Sequence, residues 1–395
     1  MWRKLVFLSV AAMLVLSACS SESKDTKATT ETAATGSAAS ESTSTESGAA
    51  ESASADVSVI EERMAKLSEK PEFVFEAESF DAKELMKGKK ILSIPTNSAI
   101  PYAQTLSKTQ GEIASEIGFE VFTWENQGKS VEYVQGIEHA INSGYDLIDL
   151  SGVDPKSLTA QIAEAQKAGI ATITTHVTAL GETLDSVDHS APQDFAMAAN
   201  LLADWTILKG GQDVNVLVVK ESDLSCSLTM VEAMEKEFAT YAPNAKVKYL
   251  DVPISDWGTK MQSEVQNALL ADRNIDYVIA IYDSMLQYVV PAIQISGNTG
   301  KVKTVGFNGT PFVLDMVRDG SVEMVVGESL EWLSYGYLDY EMRVLAGLEV
   351  PSDEAFQFYI WTKDNVEDAG VPAVSTQGYG DNYIKGYREL WQLDK

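Results

Sequence analysis

The side chains in this sequence that could do chemistry stand singly among apolar runs, and none of them forms a catalytic cluster. Asn97, Thr175, His176, Asp283, Asn308 and Glu328 each follow a short apolar or β-branched run, as do Thr96, Ser151 and Glu221. A carboxylate or side-chain amide can pair with two adjacent hydroxyls and so fix both the position and the stereochemistry of a ligand. Tyr102 and Trp257, with Trp332 behind them, add flat faces that meet the C–H faces of a sugar ring at little entropy cost. These residue types are suited to holding a polar ring rather than breaking a bond. Competing readings are core packing for the three aromatics, a cap or hinge hydrogen bond for Asp283 and Glu328, and turn chemistry for Asn308 before Gly309.

Enzyme readings find little support. The chain has three histidines, His139, His176 and His189, and none has a metal-ligand partner at helical or hairpin spacing. His-Glu-x-x-His, the phosphate-binding Gly-x-x-x-x-Gly-Lys and the Gly-x-Ser-x-Gly elbow are all absent. The one Ser-x-x-Lys match, Ser21 to Lys24, falls in low-complexity sequence. No catalytic residue, metal or cofactor is therefore expected. A net charge of −28 argues against nucleic acid, whose phosphates would repel the chain, and against a polybasic membrane patch.

The elements that must position these residues alternate in period. Strand candidates are Ile91–Pro95, Glu120–Trp124, Leu147–Leu150, Ala171–Thr174, Val214–Val219, Lys246–Leu250, Tyr277–Ile281, Val302–Phe307 and Val322–Val326. Between them Leu106, Ile113 and Ile117, then Val134, Ile137 and Ile141, then Leu158, Ile162 and Ala165 mark helical faces. Strands apolar on both sides belong to parallel sheets covered by helices, so the class is α/β with doubly wound sheets. In such sheets ligands bind beyond the carboxyl ends of the strands, where the polar candidates lie. A first set of strands ends near Ser190, where a helix Ala191–Leu208 is expected to carry the chain into a second set. A helix Leu330–Leu345 and a strand-like Phe356–Ile360 then return.

Three segments in this order resemble the type I periplasmic-binding-protein family, and within it the ribose-binding-like sugar binders. They are Val305-Gly306-Phe307-Asn308-Gly309-Thr310-Pro311, the opening strand with Asn97 and Pro101-Tyr102, and Asp256-Trp257 followed by Gln266-Asn267-Ala268-Leu269-Leu270 and Ile281-Tyr282-Asp283-Ser284-Met285. The likeness covers about residues 89 to 362. It implies two Rossmann-like lobes, three hinge crossovers and a cleft that closes on its ligand. Tyr102 and Trp257 then stand where the family has stacking Phe residues, Asn308 where it usually has Asp, and Glu328 where the ribose binder has Gln. Departures matter as much. Thr175-His176 replaces the Asp-Arg of many sugar binders, and Leu228 lies near the place of a second expected Arg. A cleft without arginine is poorly suited to phosphate or carboxylate and suits a neutral polyol, a nucleoside-like molecule or a weak cation.

The N-terminus adds a location. Arg3 and Lys4 precede an apolar run, Leu5 to Leu16, too short to span a bilayer, and Leu16-Ser17-Ala18-Cys19 resembles a lipobox. That resemblance implies cleavage before Cys19 and its lipidation. Residues 20 to 56 are almost entirely Ser, Thr, Ala, Glu and Gly, so they read as a tether with a reach on the order of 35 Å. Cys226 is then the only remaining cysteine and no intrachain disulfide is expected. The expected organisation is a signal peptide (1–18), a linker (19–56), an N-terminal extension (57–88), a first lobe (89–190 plus about 329–353), a second lobe (191–328 plus about 354–367) and a C-terminal tail (368–395). The functional expectation is a monomeric, extracytoplasmic, membrane-anchored binding protein that hands a small polar ligand, with a sugar favoured, to the permease of an ABC importer. A sensing protein that presents its closed form to a membrane receptor is the alternative on the same fold.

Overall fold

A computed structural model describes residues 56–351 and 356–394. The expected signal peptide, the expected lipidation site Cys19 and nearly all of the expected linker lie outside these residues. Within the described residues no helix is long and apolar enough to cross a membrane.

The strands form two sheets, each covered by helices. The first contains β1 (Lys90–Pro95), β2 (Glu120–Thr123), β3 (Leu147–Ser151), β4 (Ala171–Ala179) and β5 (His189–Gln193) in the order β2-β1-β3-β4-β5, all parallel. The second contains β6 (Asn215–Lys220), β7 (Lys246–Asp251), β8 (Tyr277–Ala280), β9 (Lys303–Asn308), β10 (Met324–Gly327) and β11 (Tyr359–Thr362) in the order β11-β10-β9-β8-β6-β7. Only the edge strand β11 is antiparallel. The sequence of β8, Tyr-Val-Ile-Ala, is buried at every position, as a strand covered on both faces must be.

One boundary differs from the sequence expectation. The helix read as Ala191–Leu208 begins only at Phe195 and runs to Gly210. The residues before it form β5, which pairs with β4 through Ile173–His189, Thr174–Ser190 and Thr175–Ala191. Pro192 could not sit inside a helix without losing a backbone bond, and Asp194 caps the true start by accepting from Met197 N at 2.9 Å. The first sheet thus reaches Gln193. The returning strand is likewise shifted, from the expected Phe356–Ile360 to Tyr359–Thr362.

The chain passes between the lobes after Gln193, returns after Gly327 into the helix Leu330–Ala346, and reaches the second sheet again at β11. The terminal segments make two further passages. Helix Ser58–Lys66 docks on the second lobe, where Arg63 pairs with Asp204 (3.0 Å) and Glu237 (2.9 Å). The chain then enters the first lobe, where Arg343 donates to Glu78 O (2.9 Å) and Phe80 N donates to Leu390 O (2.7 Å). The tail does the same. Ala373 N is held by Asp315 in the second lobe (3.0 Å), Tyr379 OH accepts from Trp361 Nε1 (2.7 Å), and helix Asn382–Leu390 lies on Leu330–Ala346. Gly386 lets Phe73 of the extension pack against that tail helix, since a Cβ there would lie 2.0 Å from the Phe73 ring.

Candidate ligand-binding site

The carboxyl ends of β1, β3, β4, β8 and β9 converge on a cavity between the lobes. Thr96, Ile100, Tyr102, Ala103, Ser151, Gly152 and His176 line it from the first lobe, and Leu224, Ile254, Trp257, Tyr282, Ser284 and Asn308 from the second. About 50 Å3 is open there to the centres of water molecules, room for roughly three to five of them. A wider space of about 460 Å3 lies alongside and shares Thr96, Leu224 and Ile254; Tyr133, Asp154 and Ser157 face Asp223 and Ser255 across it. Among the described residues lining the inner cavity none is Lys, Arg, Asp or Glu.

Each polar wall residue is placed by its backbone. Pro101 opens the helix Pro101–Ile117 and its fixed φ suits a first helical turn, which brings Tyr102 to the cavity. His176 follows the registered run of β4 that ends at Thr175, and Asn308 is the last residue of β9; their φ of 55° and 138° fall in regions that non-glycine residues rarely occupy. Such strain persists only where its surroundings impose it. At Asn308 the cause is visible: a Cβ on the next residue, Gly309, would lie 2.9 Å from the Cα of Gly327, so β9 and β10 end in close approach. Asp283 pins the same turn, accepting from Thr310 N (2.6 Å) and Thr310 Oγ1 (2.7 Å), while burial pushes its carboxyl up to about 7.

The aromatic surfaces come from both lobes. The Tyr102 ring lies against His176 with centroids 4.8 Å apart. Its hydroxyl is buried and has no hydrogen-bond partner of good geometry, and burial, then Glu328, drives its pKa upward. Trp257 is buried and anchored by Nε1 donating to Val252 O at 2.9 Å. It begins a wide helical turn, Trp257–Met261, of the π type often found at functional sites. Tyr282 shows the cavity its ring, while its hydroxyl is held at 3.2 Å from Cys226 Sγ and 3.0 Å from Ser227 Oγ. Burial pushes the Cys226 thiol up to about 12, so it is a packing residue and not a nucleophile. Ser284 Oγ is buried without a protein partner and faces the cavity as a free polar atom.

The structure thus brings Tyr102, His176, Trp257 and Asn308 together, with Thr96 and Ser151. Other sequence candidates lie elsewhere. Trp332 is a correction: it stacks on Tyr383 of the tail (5.2 Å, 4°) and touches Phe73 of the extension, because its helix turns that face toward the terminal segments. Thr175 points away from the cavity and donates to Asp149 Oδ1 at 3.0 Å. Asn97 makes a local turn, accepting from Ala99 N. Asp283 serves the Thr310 turn. Glu328 lies behind the wall, fully buried, rather than on it. Ile100, Ala103, Gly152, Leu224, Ile254, Tyr282 and Ser284 were not foreseen, for their types carry no signal separating a cavity lining from a core.

Comparison with known proteins agrees with this architecture. Residues 91–348 match the family described as periplasmic binding protein domain. A xylitol-binding protein of Mycolicibacterium smegmatis is 28% identical over 265 residues, covering 65% of this chain and 71% of that protein. The ribose import binding protein of Salmonella typhimurium is 22% identical over 251 residues, covering 63% and 82%. Among solved structures, a sugar ABC transporter protein of Yersinia enterocolitica superposes with a TM-score of 0.68 at 18% identity, over 82% of this chain and all of that one. A Caulobacter myo-inositol binding protein gives 0.64 at 19%, over 73% and 97%. Two parallel α/β lobes, a cavity at their strand ends and a family match across both lobes together make this chain a member of the type I periplasmic-binding-protein family, in its ribose-binding-like group.

Proposed function

We propose that this protein captures a small, neutral, hydroxyl-rich molecule, a monosaccharide or short polyol, between its lobes and delivers it to the permease of an ABC importer. The observation that carries this reading is the cavity wall: aromatic faces from both lobes, hydroxyl and amide groups between them, and no charged side chain on it. An anionic ligand would enter such a site without a counter-charge and lose its hydration, a cost of several kcal/mol per ion. A neutral polyol loses only hydroxyl hydration, which Thr96, Ser151, His176, Ser284 and Asn308 can replace. Relatives that bind xylitol, ribose and myo-inositol support the class. Residues 1–18 and Cys19 supply the export signal and lipid anchor, and binding without turnover is the whole of the activity.

Thermal-shift screening of the protein against sugars, polyols, nucleosides, amines and sugar acids tests this. Saturating ligand at one hundred times its Kd stabilises the folded state by about 2.7 kcal/mol, a readily measured shift. A response confined to sugar acids or phosphates would overturn the proposal.

A further inference from the structure

We infer that Glu328 is a positioning residue that sets the hydrogen-bond polarity of the cavity wall, so that the ligand must supply donors to His176 Nδ1 and Asn308 Oδ1. The inference rests on the reading above that this cavity holds the ligand.

Glu328 follows β10, at the second passage between the lobes, and is fully buried. Three N–H groups converge on its carboxylate. His176 Nε2 and Asn308 Nδ2 both lie 2.7 Å from Oε1, and Gln193 Nε2 lies 2.6 Å from Oε2. Gln193 cannot turn round, because its Oε1 already accepts from Asp194 N at 3.0 Å. Asn308 cannot turn either, since its oxygen would then face a carboxylate oxygen. Its Nδ2 therefore stays on Glu328 and its Oδ1 is left over. The same logic puts a proton on His176 Nε2. The 3.5 Å separation of Asn308 Nδ2 and His176 Nε2 is then that of two donors sharing one acceptor.

The leftover atoms, His176 Nδ1 and Asn308 Oδ1, belong to cavity-lining residues and make no hydrogen bond among the described residues. In a neutral imidazole protonated at Nε2, Nδ1 accepts. Two acceptors are thus left on residues that line the cavity, one from each lobe. A hydroxyl or ring N–H satisfies them. An ether, carbonyl or carboxylate oxygen presented there meets acceptor with acceptor and leaves buried groups unpaired, which sites of this kind discriminate strongly. A buried carboxylate that touches no ligand therefore selects against ligands substituted or oxidised at that edge.

The test reads the wall with and without ligand. Nitrogen-15 spectra of the imidazoles in the full-length protein, assigned among three histidines by His139→Gln and His189→Gln, should show His176 as the Nε2–H form. In Glu328→Gln, whose amide cannot accept from all three donors, His176 should become a mixture of tautomers. Binding is measured with D-ribose, xylitol and deoxyfluoro riboses, in which fluorine keeps the size of a hydroxyl but cannot donate. One fluorinated position should lose about tenfold or more in the wild type, and Glu328→Gln should lose about tenfold for the parent probe. An Nδ1–H form or a doubly protonated imidazole in the wild type, an unchanged tautomer in Glu328→Gln, or equal affinity for every fluorinated ribose would each overturn the inference. If neither parent probe binds while the Nε2–H form is found, the ligand class fails and the assigned polarity of the wall stands.

Discussion

Glu221 offers a direct measurement of what burial does to this protein's stability. It follows β6, is wholly buried, and accepts from Leu224 N at 2.8 Å through one oxygen while the other has no partner. Burial is the dominant influence and pushes the carboxyl from its ordinary 4.5 up to about 7. A raised folded pKa means that the folded chain holds this proton more tightly than the unfolded one. The stability it contributes is complete below pH 4.5 and is lost as pH climbs through 7. Each pH step in that interval costs about 1.4 kcal/mol, so the whole interval costs about 3 kcal/mol. Glu221→Gln keeps the shape and removes the titration. Asp149 and Asp283, pushed by burial to about 7, and Asp204, pushed to about 8, add slopes of the same sign to both proteins and cancel in the difference. Urea unfolding of both at pH 4, 5, 6, 7 and 8 should therefore show the variant gaining on the wild type by about 3 kcal/mol, mostly between pH 4.5 and 7. Two stability profiles separated by a constant offset would refute the reasoning.

Trp257→Ala should weaken binding of a ligand found by screening by about 1–3 kcal/mol in calorimetry, the usual scale for losing a buried aromatic contact; full affinity would remove Trp257 from the site. Trp391→Ala should cost about 3–5 kcal/mol in urea unfolding, because Trp391 is fully buried and its Nε1 donates to Asp339 Oδ1 at 2.7 Å, which would lose that partner. Replacing Cys19 with Ala should move the protein from the membrane to the soluble fraction, since a thioether-linked lipid is the proposed anchor; a variant that still pellets with membranes contradicts the lipoprotein reading.

Most of the fold could be read from sequence because interior parallel strands announce themselves. Val214–Val219 and Tyr277–Ile281 are apolar on both faces and bounded by helical periods, which few alternatives can accommodate. Strand β5 escaped because His-Ser-Ala-Pro-Gln has neither β-branched residues nor an apolar run; its pairing with β4 alone makes it a strand. Residues of the cavity wall were visible as polar or aromatic types near the strand ends, so Tyr102, His176, Trp257 and Asn308 could be named as candidates. Leu224, Ile254 and Ser284 could not, since nothing about a leucine at a helix start tells a cavity wall from a core. Trp332 misled for the opposite reason. It belongs with Tyr335, Tyr383, Tyr387 and Trp391, which stack on one another between helix Leu330–Ala346 and the tail. The spacing of Tyr379, Tyr383, Tyr387 and Trp391, four residues apart, was the available sign that this face is core.

The hydrogen bonds of Glu328 bear on how recognition and closure are linked. Gln193 lies at the first passage between the lobes and Glu328 at the second, so their 2.6 Å bond ties the two crossing segments together. His176 and Asn308 hang from that same carboxylate, one on each lobe. The acceptor wall is thus held by the protein's own hydrogen bonds, with the aromatic faces of Tyr102 and Trp257 beside it on the same cavity. Groups held in this way need no ordering when a ligand binds, and preorganisation of that kind turns buried contact into affinity.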